Sequence, residues 1–496
     1  MKSSSQNDAG LPEGSNPGLR LLWIIAIGCL LITFIAILLP RPKTSPSNRT
    51  TATNETPLAT TRLERAGRIS SARLRLNSAA ESEPVKTAEK IVAGKLTQFA
   101  RSRRELVQAL ARRSGVEVPD DVNRFFDAVE SGDWDEVQAR FQVINGGDTS
   151  AGHGAGRPPG VNELWPAIID AYGVAEQVHE WPTQKLLDYG NAVLGSLRPG
   201  MVYVGGTDNG RWIPELLNDT SDGERHIIVT QNGLADARYL EYVTELYSDR
   251  LTTLTQEDAQ GVFQEYVTDA QKRLEHDQQF PDEPKQIRPG EKVTDADGRI
   301  QVSGQVAVMQ INEKLLQLLM QKNPDLSFAA QESFPMKGMY ADAVPLGPLM
   351  ELRAPDAQNT FTAERAAQSL DYWRATAENV LADPEAAGST AALKSYSHDA
   401  TSAGNLLAAH NYTAEAEQAY RLSSQLWPGN PEAVGGLSTI LARTGRSDEA
   451  RQLLDDFARN YPDQRSAIET FWGLSVELRR ARPVQRRATR CRSRRR

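Results

Sequence analysis

Two loops carry the side chains best suited to chemistry. The apolar run Met201–Val204 is followed by Gly205-Gly206-Thr207-Asp208-Asn209-Gly210-Arg211, and His226–Thr230 is followed by Gln231-Asn232 and then Asp236. Ligands of open α/β sheets bind outside the carboxyl ends of the strands. Asp208, Asn209, Arg211, Gln231, Asn232 and Asp236 are therefore the candidate ligand-binding set, able to converge on a sugar, a carboxylate or a metal. The same residue types also form turns and cap helices, because short polar side chains satisfy orphan amides. The first loop is neither G-x-G-x-x-G nor a P-loop, since the Lys-Ser/Thr step is absent. No G-x-S-x-G, H-E-x-x-H or Cys-His arrangement nominates a nucleophile or a zinc site. His179, His276, His398 and His410 lack metal-ligand spacing, and His226 leads an apolar strand. No catalytic residue, metal or cofactor is expected from these patterns.

Placing those loops requires a strand–helix–strand unit. A helix with Trp212, Ile213, Leu216 and Leu217 joins the two strands, and a helix over Tyr239–Tyr247 follows. This reads as βαβ with parallel pairing. Further strands are expected at Val302–Met309 and Pro348–Leu352, with a helix Asn312–Gln321 between them and a polar, Pro-rich excursion over 277–298. The α/β region spans 161–360, opening with helices at 161–178 and 182–196. It is preceded by a Gly/Pro linker (146–160) and a helical region (86–145). In the latter, Val92, Leu96, Phe99, Leu106 and Leu110 form one stripe interrupted by Arg103, expected to dock on the next helices.

From 361 to 478 the chain is helical and repeats. Ala416, Tyr420 and Pro428 recur 34 residues later as Ala450, Leu454 and Pro462, and Leu407 recurs as Leu441. Gly404 fills the small position of the first helix, which Ser438 takes in the second copy, and Leu437 stands one period after Ala403. This pattern resembles the tetratricopeptide repeat, with copies at 397–430 and 431–464. The aromatic at the early signature position is missing, replaced by Ala400 and Val434. Residues 201–352 resemble the soluble part of protein O-mannosyltransferase-like membrane proteins, in the order Val202-Tyr-Val-Gly-Gly-Thr-Asp208-Asn209, Trp212, Ile227-Ile-Val-Thr-Gln-Asn232. The whole chain is also similar to uncharacterised bacterial single-pass repeat proteins. Glycosyl transfer in the multipass family implies many membrane helices, so the likeness implies a periplasmic address for the α/β part rather than an activity, whereas Arg41, Lys43 and Arg49 against Lys2 and Arg20 favour a cytoplasmic body by the positive-inside rule.

The 496 residues, 40% hydrophobic and 24% charged, exclude disordered and disulfide-stapled classes. The net charge of −8 conceals three unequal parts. Residues 1–115 hold 18 basic and 8 acidic side chains and the last eighteen hold ten arginines and no acid, leaving 28 basic against 56 acidic between them. So acidic a body is not built for nucleic acid, whose affinity comes from Lys and Arg. Leu21–Leu39 is free of charge and matches a hydrocarbon core of about 30 Å. It reads as a single-pass anchor preceded by a tail (1–20) and followed by a flexible tether (40–85). The Arg-rich segment 479–496 interrupts a third repeat and reads as a disordered tail. The expected protein is α/β plus all-α: a bacterial inner-membrane-anchored interaction module for a peptide or helix of a protein partner. A sugar-binding or glycan-directed α/β domain using the loops at 205–211 and 231–236 is the alternative.

Overall fold

The computed structural model describes residues 87–146, 156–206, 208–296, 299–353 and 361–464. The expected tail (1–20), the anchor Leu21–Leu39, the whole tether (40–85) and the Arg-rich segment (479–496) lie outside the described residues. Among those described, no helix is long and apolar enough to cross a membrane.

Helix α1 (Ala88–Ser114) buries Val92, Leu96, Phe99, Val107 and Leu110 along one face. It packs on α2 (Asp120–Ser131) and α4 (Val161–Glu180), with α3 (Trp134–Ile144) closing the group. Gly132 ends α2 in the left-handed conformation at φ 74°, and Asp133 caps α3 through the amide of Glu136. Both terminations are those the composition calls for. Phe141 stacks on Tyr172 of α4 with centroids 3.8 Å apart, so packing is continuous across the Gly/Pro linker.

Helix α5 (Thr183–Ser196) leads into β1 (Val202–Gly205); α6 (Asn209–Asp219) crosses to β2 (Ile227–Thr230), and α7 (Ala237–Tyr247) follows. Strands β1 and β2 are parallel, Val202 opposite Ile227, and both are wholly buried. Gly173 lets α4 approach α6 closely, since a Cβ there would lie 2.1 Å from the Trp212 indole.

Beyond this unit the architecture departs from expectation. Helix α8 (Gln256–Gln279), opened by a capping box at Thr255 and Asp258, was not anticipated. The strand expected at Val302–Met309 survives only in β4 (Arg299–Ser303), which pairs as a hairpin with β3 (Lys292–Ala296), inside the supposed excursion. Gly304, at φ 100°, ends the strand, and α9 (Gln305–Lys322) takes over. Val306 and Val308 alternate as a strand would, but Leu315 and Leu319 continue at helical spacing, and burying that stripe decides the matter. Two short strands were also missed: β5 (Phe328–Ala330) and β6 (Val344–Leu346), joined by β7 (Leu349–Leu352). The main sheet runs β2-β1-β5-β7-β6, with β5 parallel to β1 and β7 antiparallel to both β5 and β6.

The C-terminal part comprises α10 (Ala363–Ala382), the short α11 (Pro384–Ala387), then α12 (Thr390–Ala409), α13 (Thr413–Leu426), α14 (Pro431–Arg443) and α15 (Ser447–Asn460). The last four are the two helix pairs of the 34-residue period. Helix α12 packs not only on α13 but also on β6 and β7, so one buried core runs from Val92 to Ala450.

Candidate functional site

The principal cleft, of about 1050 Å³, opens where the loop after β1 meets the first repeat helix. Its walls are the carboxyl end of α4 with Trp134, the Asp208–Asn209 turn with Ser333, the start of α12, and the Trp427–Glu432 segment leading into α14.

Of the six residues expected to bind a ligand, the fold brings two to this cleft. Asp208 caps α6, its Oδ1 accepting the Gly210 amide at 3.0 Å. Burial pushes its carboxyl up, against the opposing pull of His398 and Arg211. Asn209 donates to Ser395 of α12. Asn232 reaches the neighbourhood through Ser333, donating to its Oγ at 3.2 Å. Asp236 caps α7 through the Arg238 amide at 2.9 Å. Gln231 is buried beside the sheet.

Arg211 points the other way, into a buried ion network. It bridges Asp170 at 2.7 Å and Glu215, and donates to the Gly206 carbonyl at 2.7 Å. Arg103, the residue that interrupts the α1 stripe, is fully buried and completes the network, pairing with Glu215 at 2.7 Å and Asp219. Tyr242 donates to Asp170 at 2.6 Å. Burial, repulsion from Asp170 and repulsion from Asp219 hold Glu215 up at about 8, the two arginines acting against them. The stripe's apparent defect is thus the link between α1 and α6.

Residues that sequence reasoning passed over line most of the cleft. His398, set aside for lack of metal-ligand spacing, has its Nδ1 3.7 Å from Glu432 and its Nε2 against the Glu332 carbonyl. Burial alone would lower its basicity, but Glu432, Asp208 and Asp399 together push it up to about 9. The adjacent Asp399 ties the repeat to the α/β body, accepting from Tyr189 at 2.9 Å and Gln331 at 2.6 Å. Lys394 lies 5.1 Å from the centre of the Trp427 ring. His179 stacks on Trp134 at 5.0 Å. These residues run from Trp134 to Glu432, so no motif spacing could reveal them. One signal was available: Glu176 and Glu180 place like charges at i,i+4 near the end of a mainly apolar helix, which costs stability unless something else compensates.

Glu176 is buried, and burial together with the charge of Glu180 raises its carboxyl to about 8. A raised acid binds a proton in the folded state that the unfolded chain has released, so wild-type stability falls as pH climbs from about 5 to about 8. Glu176→Gln is therefore expected to gain on the wild type across that window, by on the order of a few kcal/mol at its upper end. Melting temperatures of the two proteins measured in parallel from pH 5 to pH 9 check this; parallel curves refute it.

The arrangement can hold protons and hydrogen-bonding groups. Among the described residues no three His, Cys, Asp or Glu groups are placed to share a metal ion. A tetratricopeptide repeat family model matches residues 406–470. No curated protein and no solved structure matches the chain. The helices within the matched segment thus carry a tetratricopeptide repeat, a fold of stacked helix pairs that generally mediates protein–protein interaction.

Proposed function

We propose that the protein is a membrane-tethered interaction module whose cleft receives a segment of a partner protein. One observation carries this reading. The first repeat helix is committed to the α/β body through Asn209–Ser395, His398–Glu332 and Asp399–Gln331, yet a cleft of about 1050 Å³ remains where the two meet. A repeat surface used only as structural filler would close that space, whereas a receptor keeps it open. In this reading Leu21–Leu39 holds the body at the bacterial inner membrane, on the periplasmic side. The glycan-directed alternative loses Arg211 to the ion network and Asp236 to a cap.

A photoreactive residue in place of Thr390 or Glu385, both exposed at the rim, should crosslink one partner in native membranes. The same probe at Lys272, exposed on α8, should not. Identical adducts from both positions would overturn the assignment. Protease added outside intact spheroplasts should cut the body; full protection would place it on the other side.

A further inference from the structure

We propose that the cleft is a receptor for an arginine on an extended basic peptide, the guanidinium meeting Glu176 and Gln177 at the carboxyl end of α4. The proposal rests on the reading of the cleft as a partner site and names the partner's chemistry.

The two walls differ in how far their charges are already matched. Around the rest of the cleft the helix starts are capped: α6 of the α/β body by Asp208 and, on the repeat wall, α12 by Ser389, whose Oγ accepts the Ala392 amide at 3.2 Å, and α14 by Asn430, whose Oδ1 accepts from the Glu432 and Ala433 amides. His398 lies among Glu432, Asp208 and Asp399. The α4 wall is matched only in part: Lys394 and His179 act on Glu180, and Gln177 Nε2 donates to Glu176 at 3.4 Å. Glu176 is 2% exposed, and the charged neighbour acting on it is another acid, Glu180. The negative end of the helix dipole adds to the same field. A buried carboxyl in such a place is stabilised by a cation that brings its own donors.

Two further groups on that wall specify the ligand's shape. Gln177 and Trp181 are each 3% exposed and line the cleft, and among the described residues the Gln177 Oε1 acceptor and the Trp181 Nε1 donor have no hydrogen-bond partner. A guanidinium supplies a fork of donors for Glu176 and Gln177 Oε1. A peptide carbonyl beside it accepts from Trp181 Nε1. A lone metal ion would satisfy the two acceptors but leave the indole donor unmatched.

The occupant is a basic segment of a partner protein, whose charge complements the acidic body of this chain. The ten arginines of the chain's own last eighteen residues are the competing occupant that the test separates.

The test is titration of the full-length protein in detergent with an Arg-containing nonapeptide, followed by tryptophan fluorescence and calorimetry. The matched citrulline peptide, isosteric and uncharged, is the control. Binding of the arginine peptide is expected to exceed that of the citrulline peptide at least tenfold. Glu176→Gln and, separately, Gln177→Leu should each weaken it by about the same factor while the melting curve stays cooperative. Replacing the ten C-terminal arginines by glutamine identifies the source. Unchanged binding of added peptide supports the partner as occupant, whereas tighter binding overturns it in favour of the chain's own tail. Equal affinity for both peptides, or binding indifferent to both α4 variants, overturns the proposal. If rim crosslinking still captures one partner in that event, the cleft remains a partner site and only its arginine chemistry falls.

Discussion

Arg211→Ala is expected to destabilise the protein by about 3–5 kcal/mol, the cost of leaving buried charges without their partner. The size follows from what Arg211 holds. Asp170, Glu215 and Asp219 bring three carboxyls into the space between α1, α4 and α6, and Arg103 and Arg211 are the cations that face them. Asp170 is kept below the ordinary carboxylate range although burial opposes it, mainly by Arg211. Without Arg211, Asp170 retains the Tyr242 hydroxyl and Glu215 retains Arg103, and neither has enough. Urea unfolding followed by near-ultraviolet circular dichroism measures the loss. A residue serving only as a ligand contact would leave the unfolding midpoint where it was, so an unchanged midpoint in Arg211→Ala would return this side chain to the binding set. Arg211→Lys should recover part of the loss, because an ammonium restores charge but not the planar fork that meets Asp170, Glu215 and the Gly206 carbonyl together.

Tyr420→Ala is the second large effect, expected at about 3–5 kcal/mol from loss of a buried aromatic side chain. Its ring is wedged between the helices on either side. A Cβ added at Gly404 of α12 would lie 2.7 Å from the ring, and one at Gly436 of α14 would lie 2.5 Å from it. The hydroxyl donates to Asn405 at 2.8 Å, and Asn405 in turn donates to Glu332 of the α/β body. Removing the ring therefore loosens the repeat and its attachment at once. The two glycines make the explanation testable through coupling. Gly436→Ala should destabilise the wild type, where the ring blocks the new methyl, and should be nearly neutral beside Tyr420→Ala. Additive effects in that double-mutant cycle would mean that Gly436 is not there for the ring.

How far these features were legible in the chain differs between the repeat and the cleft. The 34-residue period needs only neighbouring helices to be satisfied, so Gly404, Leu407, Ala416, Tyr420, Leu437, Leu441, Ala450 and Leu454 could be read in place, and all but Gly404 are among the buried hydrophobic residues. Pro428 and Pro462 follow the second helix of each pair as punctuation. The βαβ unit was legible for the same reason, since β1, α6 and β2 are consecutive and their apolar periods are local. Strand β5 was not: three residues, Phe328–Ala330, carry no period of their own and become a strand only because β1 and β7 lie on either side. Arg103 misled as a flaw in a stripe because the acids it meets are more than a hundred positions away.

The amino-acid order by itself determined the segregation of charge into an acidic body with basic ends and, through periods local to the chain, most helices other than α8 and the start of α9, the repeat period and the parallel pair of strands. The tertiary structure alone decided which polar side chains are structural and which face open space. Arg211 and Asp208 are three positions apart, yet one is locked between Asp170 and Glu215 while the other lines a cleft opposite His398. The physical reason is that a side chain's role depends on the dielectric and the partners around it. Those are assembled here from α1, α4 and α12, segments that meet only when one core is buried from Val92 to Ala450.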